Sequence, residues 1–379
     1  MIAVATTTRA DWGLLLPLLR ELRERGHEPA VIAANMHLLP EYGNTIDEIR
    51  ASGFEPVAKV PAKSDPARTL STTIEGFTDV LRNLKPDALV LLGDRFETLG
   101  AASAALLAGV PIVHIAGGTI SEGAIDDSIR HAITKLSSLH LVETEQCRHR
   151  VIQMGEDPST VFTVGAAGVW NALNTKLMTR EELAKSLGWV IPENFIVATL
   201  HPCTRSATPA PEQMENFIKG LEQSLKEFPG MGIIFTFPNN DSDPKPLIEQ
   251  IKAFASRHPG QVLAVPSLGM HRYLSAVALS KGVVGNSSSG IVETASLGVP
   301  TLNIGVRQEG REAPPSVLNT PATPLGVSIG IQSMMRPVTQ EQARLKFNPY
   351  FRHGTPKLMA DAILKFDFHA YPRKKFYNL

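Results

Sequence analysis

The chain has 379 residues, 43% of them hydrophobic, enough for two buried cores, since single cores stop growing at roughly 250 to 300 residues. Zero formal net charge and a pI near 7.2 exclude the broad basic field of a protein that binds nucleic acid or an anionic membrane, so any phosphate site must be local. Two cysteines, Cys147 and Cys203, exclude a disulfide framework and a cysteine zinc site and suit a reducing compartment, with the cytoplasm the expected location.

Met1 runs straight into the strand-like Ile2-Ala3-Val4-Ala5 without a targeting signal, and no segment approaches the roughly 20 apolar residues of a membrane span. A helix is expected over residues 11–25, a strand over 29–33, a helix near 46–52 and another before Lys85. Strands follow at 88–92, 112–115 and 139–142, each separated by enough chain for a crossover helix. This rhythm predicts an α/β protein with a mostly parallel sheet, and the first domain closes near residues 164–168. The alternation restarts with a helix over 179–187 and strands at 195–200, 232–237, 261–265, 282–285 and 301–304, a second Rossmann-like unit. Residues 312–337 read as a loop and a short strand, 327–331; residues 356–366 read as helix, and the basic-aromatic end 371–376 as a docked or frayed terminus. The domain division is therefore 1–168 and 169–355, with 356–379 packing back on the first.

Chemistry concentrates behind the strands. Apolar runs 88–92 and 110–115 are followed by Gly93-Asp94-Arg95-Phe96-Glu97, Gly117-Gly118 and a segment with Glu122, Asp126, Asp127, Arg130 and His131, at the carboxyl ends where open α/β sheets bind ligands. Crowded carboxylates raise the proton affinity of at least one toward the range of a general base, and Arg95, Arg130 and His131 can neutralise the group; taken singly, Asp94 and Asp126 also fit helix caps. No spacing here matches a metal-binding helix motif, so metal-free chemistry is expected.

Gly285-Asn286-Ser287-Ser288-Ser289-Gly290 follows a strand and opens a helix, which suits an anion; Glu293, in that helix's first turn, suits paired ribose hydroxyls or simply the helix dipole. Arg307 and Arg311 follow the next strand and are placed for a diphosphate or for surface ion pairs. Between the first strand and first helix, Thr6-Thr7-Thr8-Arg9-Ala10-Asp11 is a phosphate- or sugar-facing turn without GxGxxG. That absence argues against a nicotinamide or flavin, and no P-loop is present.

Together with Gly123-Ala124-Ile125-Asp126-Asp127-Ser128-Ile129-Arg130-His131-Ala132-Ile133-Thr134-Lys135, His201-Pro202, Phe237-Pro238-Asn239 and Gly305-Val306-Arg307-Gln308-Glu309-Gly310-Arg311, these motifs resemble the hydrolysing UDP-N-acetylglucosamine 2-epimerases, in order and over nearly the whole chain. The resemblance implies a GT-B fold with a sugar nucleotide in the interdomain cleft, and conversion of UDP-N-acetylglucosamine to N-acetylmannosamine plus UDP for sialic or related nonulosonic acid synthesis. It also implies no cofactor and a homodimer or homotetramer. By resemblance, Asp94 and Asp126 are catalytic carboxylates and His201 lies beside the diphosphate. Arg9, Asn239, Ser287, Ser288 and Glu293 surround UDP, and His37, Arg130 and Arg307 lie near the sugar and phosphate. Asp11, Arg95, His131, Ser289 and Gly290 complete the expected binding set. Some relatives carry a catalytic glutamate directly after His-Ile, where this chain has Ala116, with Thr119 after the glycine pair; Glu122 is the nearest acidic substitute. A GT-B glycosyltransferase, a non-hydrolysing 2-epimerase and a nucleotide-sugar sensor are the competing readings.

Overall fold

The computed structural model describes all residues except 41–43, 64, 123, 204–205, 239–243 and 371–373. The chain forms two compact units: Met1–Thr119 with Asp126–Trp170 and Arg352–Leu379, and Ile120–Ile125 with Asn171–Phe351. The grouping of Ile120–Ile125 with the second unit lay beyond the sequence reading. No helix among the described residues is long and apolar enough to cross a membrane.

The first unit holds a seven-stranded sheet built from β1 (Ile2–Thr6), β2 (Ala30–Ala34), β3 (Ala58–Val60), β4 (Ala88–Leu92), β5 (Ile112–Ile115), β6 (Leu139–Val142) and β7 (Val161–Thr163). Its spatial order is β3-β2-β1-β4-β5-β6-β7, and every pairing is parallel. Central strands β1 and β4 are almost wholly apolar on both faces because helices cover both, and β5 is likewise buried and apolar except for His114. Chain direction across the sheet reverses between β1 and β4, so the loops after these two strands diverge and leave a crevice at their carboxyl ends. On one face the helix Arg9–Glu24 buries Trp12, Leu15, Leu18, Leu19 and Leu22, and the helix Thr355–Lys365 packs with it through Met359, Ala360 and Ile363.

The second unit holds a six-stranded sheet of β8 (Asn194–Thr199), β9 (Met231–Thr236), β10 (Val262–Val265), β11 (Val283–Gly285), β12 (Thr301–Ile304) and β13 (Val317–Thr320), ordered β10-β9-β8-β11-β12-β13 and again wholly parallel. Its reversal lies between β8 and β11, where Gly285 pairs with Thr199. Gly285 has φ +144°, and a Cβ there would stand 1.7 Å from the Thr199 carbonyl oxygen, so no other residue fits.

Residues 327–331 are not a strand. They lie inside the helix Pro324–Met334, which Thr323 starts by accepting a hydrogen bond from the Gly326 N–H, with Pro324 in the first turn. Val327, Ile331 and Met334 recur at helical spacing on the buried side, and Gly330 lies directly on Leu302 of β12.

Candidate active site

In the first unit the loop after β4 turns at Gly93, φ +82°, and presents Asp94. The Asp94 carboxylate is paired with the Arg130 guanidinium, which is 2% exposed, while Asp94 remains about a quarter exposed at 27%. Arg130 also donates to the Thr119 carbonyl at 2.7 Å and lies 3.5 Å from Asp127. Burial opposes its charge, but Asp94, Asp127 and Asp126 outweigh that and strengthen its hold on the proton. The carboxylates therefore share a buried cation, where the sequence suggested that they crowd one another. Asp126 opens the helix Asp126–Leu136, which carries Asp127, Arg130 and His131 on successive turns. His131, held down by burial, stands 3.7 Å from Asp127. Arg95 spends two donors on Glu97, each at 3.1 Å, and caps the helix Phe96–Ala108 with its backbone.

Two expected ligand residues of this unit are held by intramolecular hydrogen bonds. His37 is fully buried, with Nε2 2.9 Å from Thr6 Oγ1 and Nδ1 2.8 Å from Thr45 Oγ1, so both ring nitrogens are spent. Asp11 accepts from the backbone N–H groups of Thr7 and Thr8 at 2.7 Å each and from both threonine hydroxyls, a capping box that ties the turn to its helix. Arg9 is exposed, 3.7 Å from Glu48.

In the second unit, Asn286 is the hub. Its side-chain carbonyl accepts from the His201 N–H at 2.7 Å and its amide donates to the His201 carbonyl at 2.8 Å, joining the loops after β8 and β11. The Asn286 backbone carbonyl accepts from Arg307 at 3.1 Å and from Gln308 at 2.8 Å, which brings the loop after β12 to the same point. Burial, reinforced by Arg307, pushes His201 down to about 3, so at neutral pH it is an uncharged imidazole offering one N–H. Ser287 and Ser289 are half-buried, Ser288 is exposed and Gly290 is buried. The helix they open is a single short turn, Ser289–Val292, so Glu293 ends it, contrary to expectation, and receives the Ser289 hydroxyl. Burial and the nearby Glu293 push Tyr273 up, and its hydroxyl bonds with Ser289. Arg311 donates to the Ile120 carbonyl at 3.2 Å and to Ser121 Oγ at 3.0 Å, fixing the segment that bears exposed Glu122 beside Gly310. Asn239 lies outside the described residues.

Both polar clusters thus occupy the strand-order reversals of their sheets. The profile of the UDP-N-acetylglucosamine 2-epimerase family matches residues 20–364. The chain belongs to this family. Among its curated members, the GDP/UDP-N,N'-diacetylbacillosamine 2-epimerase (hydrolyzing) of Campylobacter jejuni is 34% identical over 317 residues, covering 82% of this chain and 81% of the relative. The UDP-N,N'-diacetylbacillosamine 2-epimerase (hydrolyzing) of Legionella pneumophila is 33% identical over 372 residues, covering 96% and 95%. The crystal structure of the UDP-GlcNAc 2-epimerase from Neisseria meningitidis bound to UDP-GlcNAc superposes with a TM-score of 0.81 at 17% identity, covering 96% of this chain and 100% of that one. The fold of this family member is GT-B-like.

Sequence reasoning missed Asn286 and Gln308 as organisers, and Tyr273, His114 and Thr134 altogether. His114 had left a signal, a histidine inside an otherwise apolar buried strand, since a polar group there requires partners.

Proposed function

We propose that this UDP-sugar 2-epimerase is of the hydrolysing type, acting on a UDP-2-acetamido sugar, either UDP-N-acetylglucosamine or a 2,4-diacetamido-trideoxy analogue. A carboxylate removes the proton from sugar carbon 2 while the bond from carbon 1 to the UDP oxygen breaks, leaving a glycal and UDP. Water adds its oxygen to carbon 1 and a proton returns to carbon 2 on the opposite face, giving the free manno-configured sugar. The observation that carries the reading is Asp94, presented at the β1/β4 reversal and joined to the buried Arg130 beside Asp126.

The ion pair with Arg130 fixes the Asp94 carboxylate in place, which suits it to guide the attacking water. Asp126, half-buried at the start of helix Asp126–Leu136, or the exposed Glu122 serves as the base at carbon 2. In the second unit Arg307, the serine hydroxyls and the neutral His201 N–H supply donors for the departing diphosphate. The hydrolysing type is favoured by the names of the Campylobacter and Legionella relatives. These steps use side chains and water alone.

The test is proton NMR in deuterated water with each UDP-sugar and no acceptor. Release of UDP with a manno sugar deuterated at carbon 2 is expected, and the faster substrate names the sugar. Interconversion of UDP-sugars without UDP release, or unchanged substrate, overturns the proposal. Asp94→Asn is expected to lower kcat by about 100-fold or more; intact turnover removes Asp94 from its role.

A further inference from the structure

His114 sits in the middle of β5, fully buried, between Val113 and Ile115. A strand of this kind calls for an apolar side chain, and burying an imidazole is unfavourable unless both nitrogens find partners. Both do. Nε2 lies 2.8 Å from the Gly93 carbonyl oxygen, which can only accept, so Nε2 carries the proton. Nδ1 is then a lone pair facing the Thr134 hydroxyl at 3.2 Å, whose single proton it shares with the Arg130 carbonyl oxygen, to which that hydroxyl donates at 3.0 Å. Burial, with Arg130 and His140 nearby, holds His114 down to about 3, in keeping with a neutral ring.

These contacts close a loop through the site. Gly93 immediately precedes Asp94, Asp94 pairs with Arg130, Arg130 lies one helical turn before Thr134, and Thr134 meets His114, which returns to Gly93. Gly117 is moulded to the same spot, since a Cβ there would approach His114 Nδ1 and Thr134 Oγ1 to 3.0 Å each. We propose that His114, through Gly93 on one side and Thr134 on the other, is the positioning residue that fixes the Asp94 carboxylate against Arg130. The inference rests on Asp94 acting in the reaction, as argued above. It predicts a precise role for a side chain that touches no substrate: it holds the turn preceding Asp94 in the productive direction.

The experiment compares His114→Leu with His114→Gln, whose amide nitrogen reaches the level of Nε2. His114→Leu is expected to lower kcat by about 10- to 100-fold, with KM and UDP affinity within about three-fold of wild type, because misplacing a reacting group by an ångström costs rate rather than binding. His114→Gln is expected to restore kcat to within about five-fold of wild type, and adding His114→Leu to Asp94→Asn to cause no further loss. Should the leucine variant fail to fold, Thr134→Val removes the second link and is expected to lower kcat by about three- to ten-fold at unchanged KM. A folded leucine variant with wild-type kcat, or a glutamine variant no better than leucine, overturns the proposal. Asp94→Asn separates the two readings: an inactive Asp94→Asn with an unaffected His114→Leu rejects only the positioning role, whereas an active Asp94→Asn rejects the underlying assignment. Nitrogen-15 NMR of the histidine ring gives a readout independent of turnover; the neutral tautomer with its proton on Nε2 is expected from pH 5 to 8, and a proton on Nδ1 overturns the geometry.

Discussion

Among the described residues Arg130 is the largest fully buried side chain, and its charge is tolerated because Asp94, Asp127 and the Thr119 carbonyl meet it. Arg130→Met should cost about 3 kcal/mol in urea unfolding, much of it from leaving Asp94 without its cation, along with most of the activity. Acid lability follows from the neutral histidines. His114 and His201 sit near 3 in the native state against an ordinary value of 6.5, so between these limits the unfolded chain takes up protons that the native one refuses. Stability is therefore complete above about pH 6.5 and declines as pH falls toward 3, by up to about 1.4 kcal/mol per pH unit for each ring. Urea midpoints at pH 7, 6 and 5 check this, and an unchanged midpoint would contradict it. The place of Asp94 at the sheet's carboxyl edge was legible because it closely follows the buried strand β4, whereas Asp126 and Arg130 lie in a helix well beyond β5 and stood out only as part of a longer charged motif. The partners of Asp11 and His37 were not legible, because the chain does not reveal where a side chain makes its hydrogen bonds: the threonines beside Asp11, and Thr6 and Thr45 around His37, take them up. The link from His114 to Thr134 was invisible, since twenty residues separate the two.

At the level of elements, the central strands were readable down to the three-residue β11, whereas β3 and β7 at the two edges of the first sheet and β13 at an edge of the second, which lies where the sequence suggested a loop, are short and only partly buried and carry no unbroken apolar run. The segment 327–331, Val-Ser-Ile-Gly-Ile, alternates as a strand would, yet the structure makes it helix. The cap at Thr323 and Pro324 sets the helix, and the small Gly330 lets it lie close on Leu302 of β12. Thr323→Ala should therefore cost about 1 kcal/mol in chemical unfolding, and Thr323→Ser little. The serine run misled in the opposite sense: its helix stops after one turn, so Glu293 sits at the end instead of the start. Tyr273 and Ser289 give Glu293 its surroundings, a grouping that no spacing in the chain announces.

At the scale of the molecule, residues far along the chain complete the first unit. Lys374 donates to the carbonyls of Lys135 and Ser137 at 2.7 Å and Thr134 at 3.2 Å, satisfying the end of the helix that carries Asp126 and Arg130, and it pairs with buried Glu156 at 2.6 Å. Burial works against the Glu156 charge, but His140, Lys135 and Lys374 outweigh it and hold the carboxyl down to about 2. Phe376 covers Gly155, and the Tyr377 N–H reaches the Gly155 carbonyl at 2.9 Å, so this terminus is docked. Lys374→Ala should cost about 2 kcal/mol and speed amide hydrogen exchange at the end of helix Asp126–Leu136; unchanged exchange would contradict the anchoring. The discontinuous make-up of this unit has a consequence for biosynthesis. As the polypeptide leaves the ribosome, residues 1–170 emerge first with the apolar side of helix Arg9–Glu24 still lacking Met359, Ala360 and Ile363, which are translated nearly two hundred residues later. The unit begun first is thus finished last, and through that interval its nascent part exposes a greasy stripe to chaperones and to neighbouring chains.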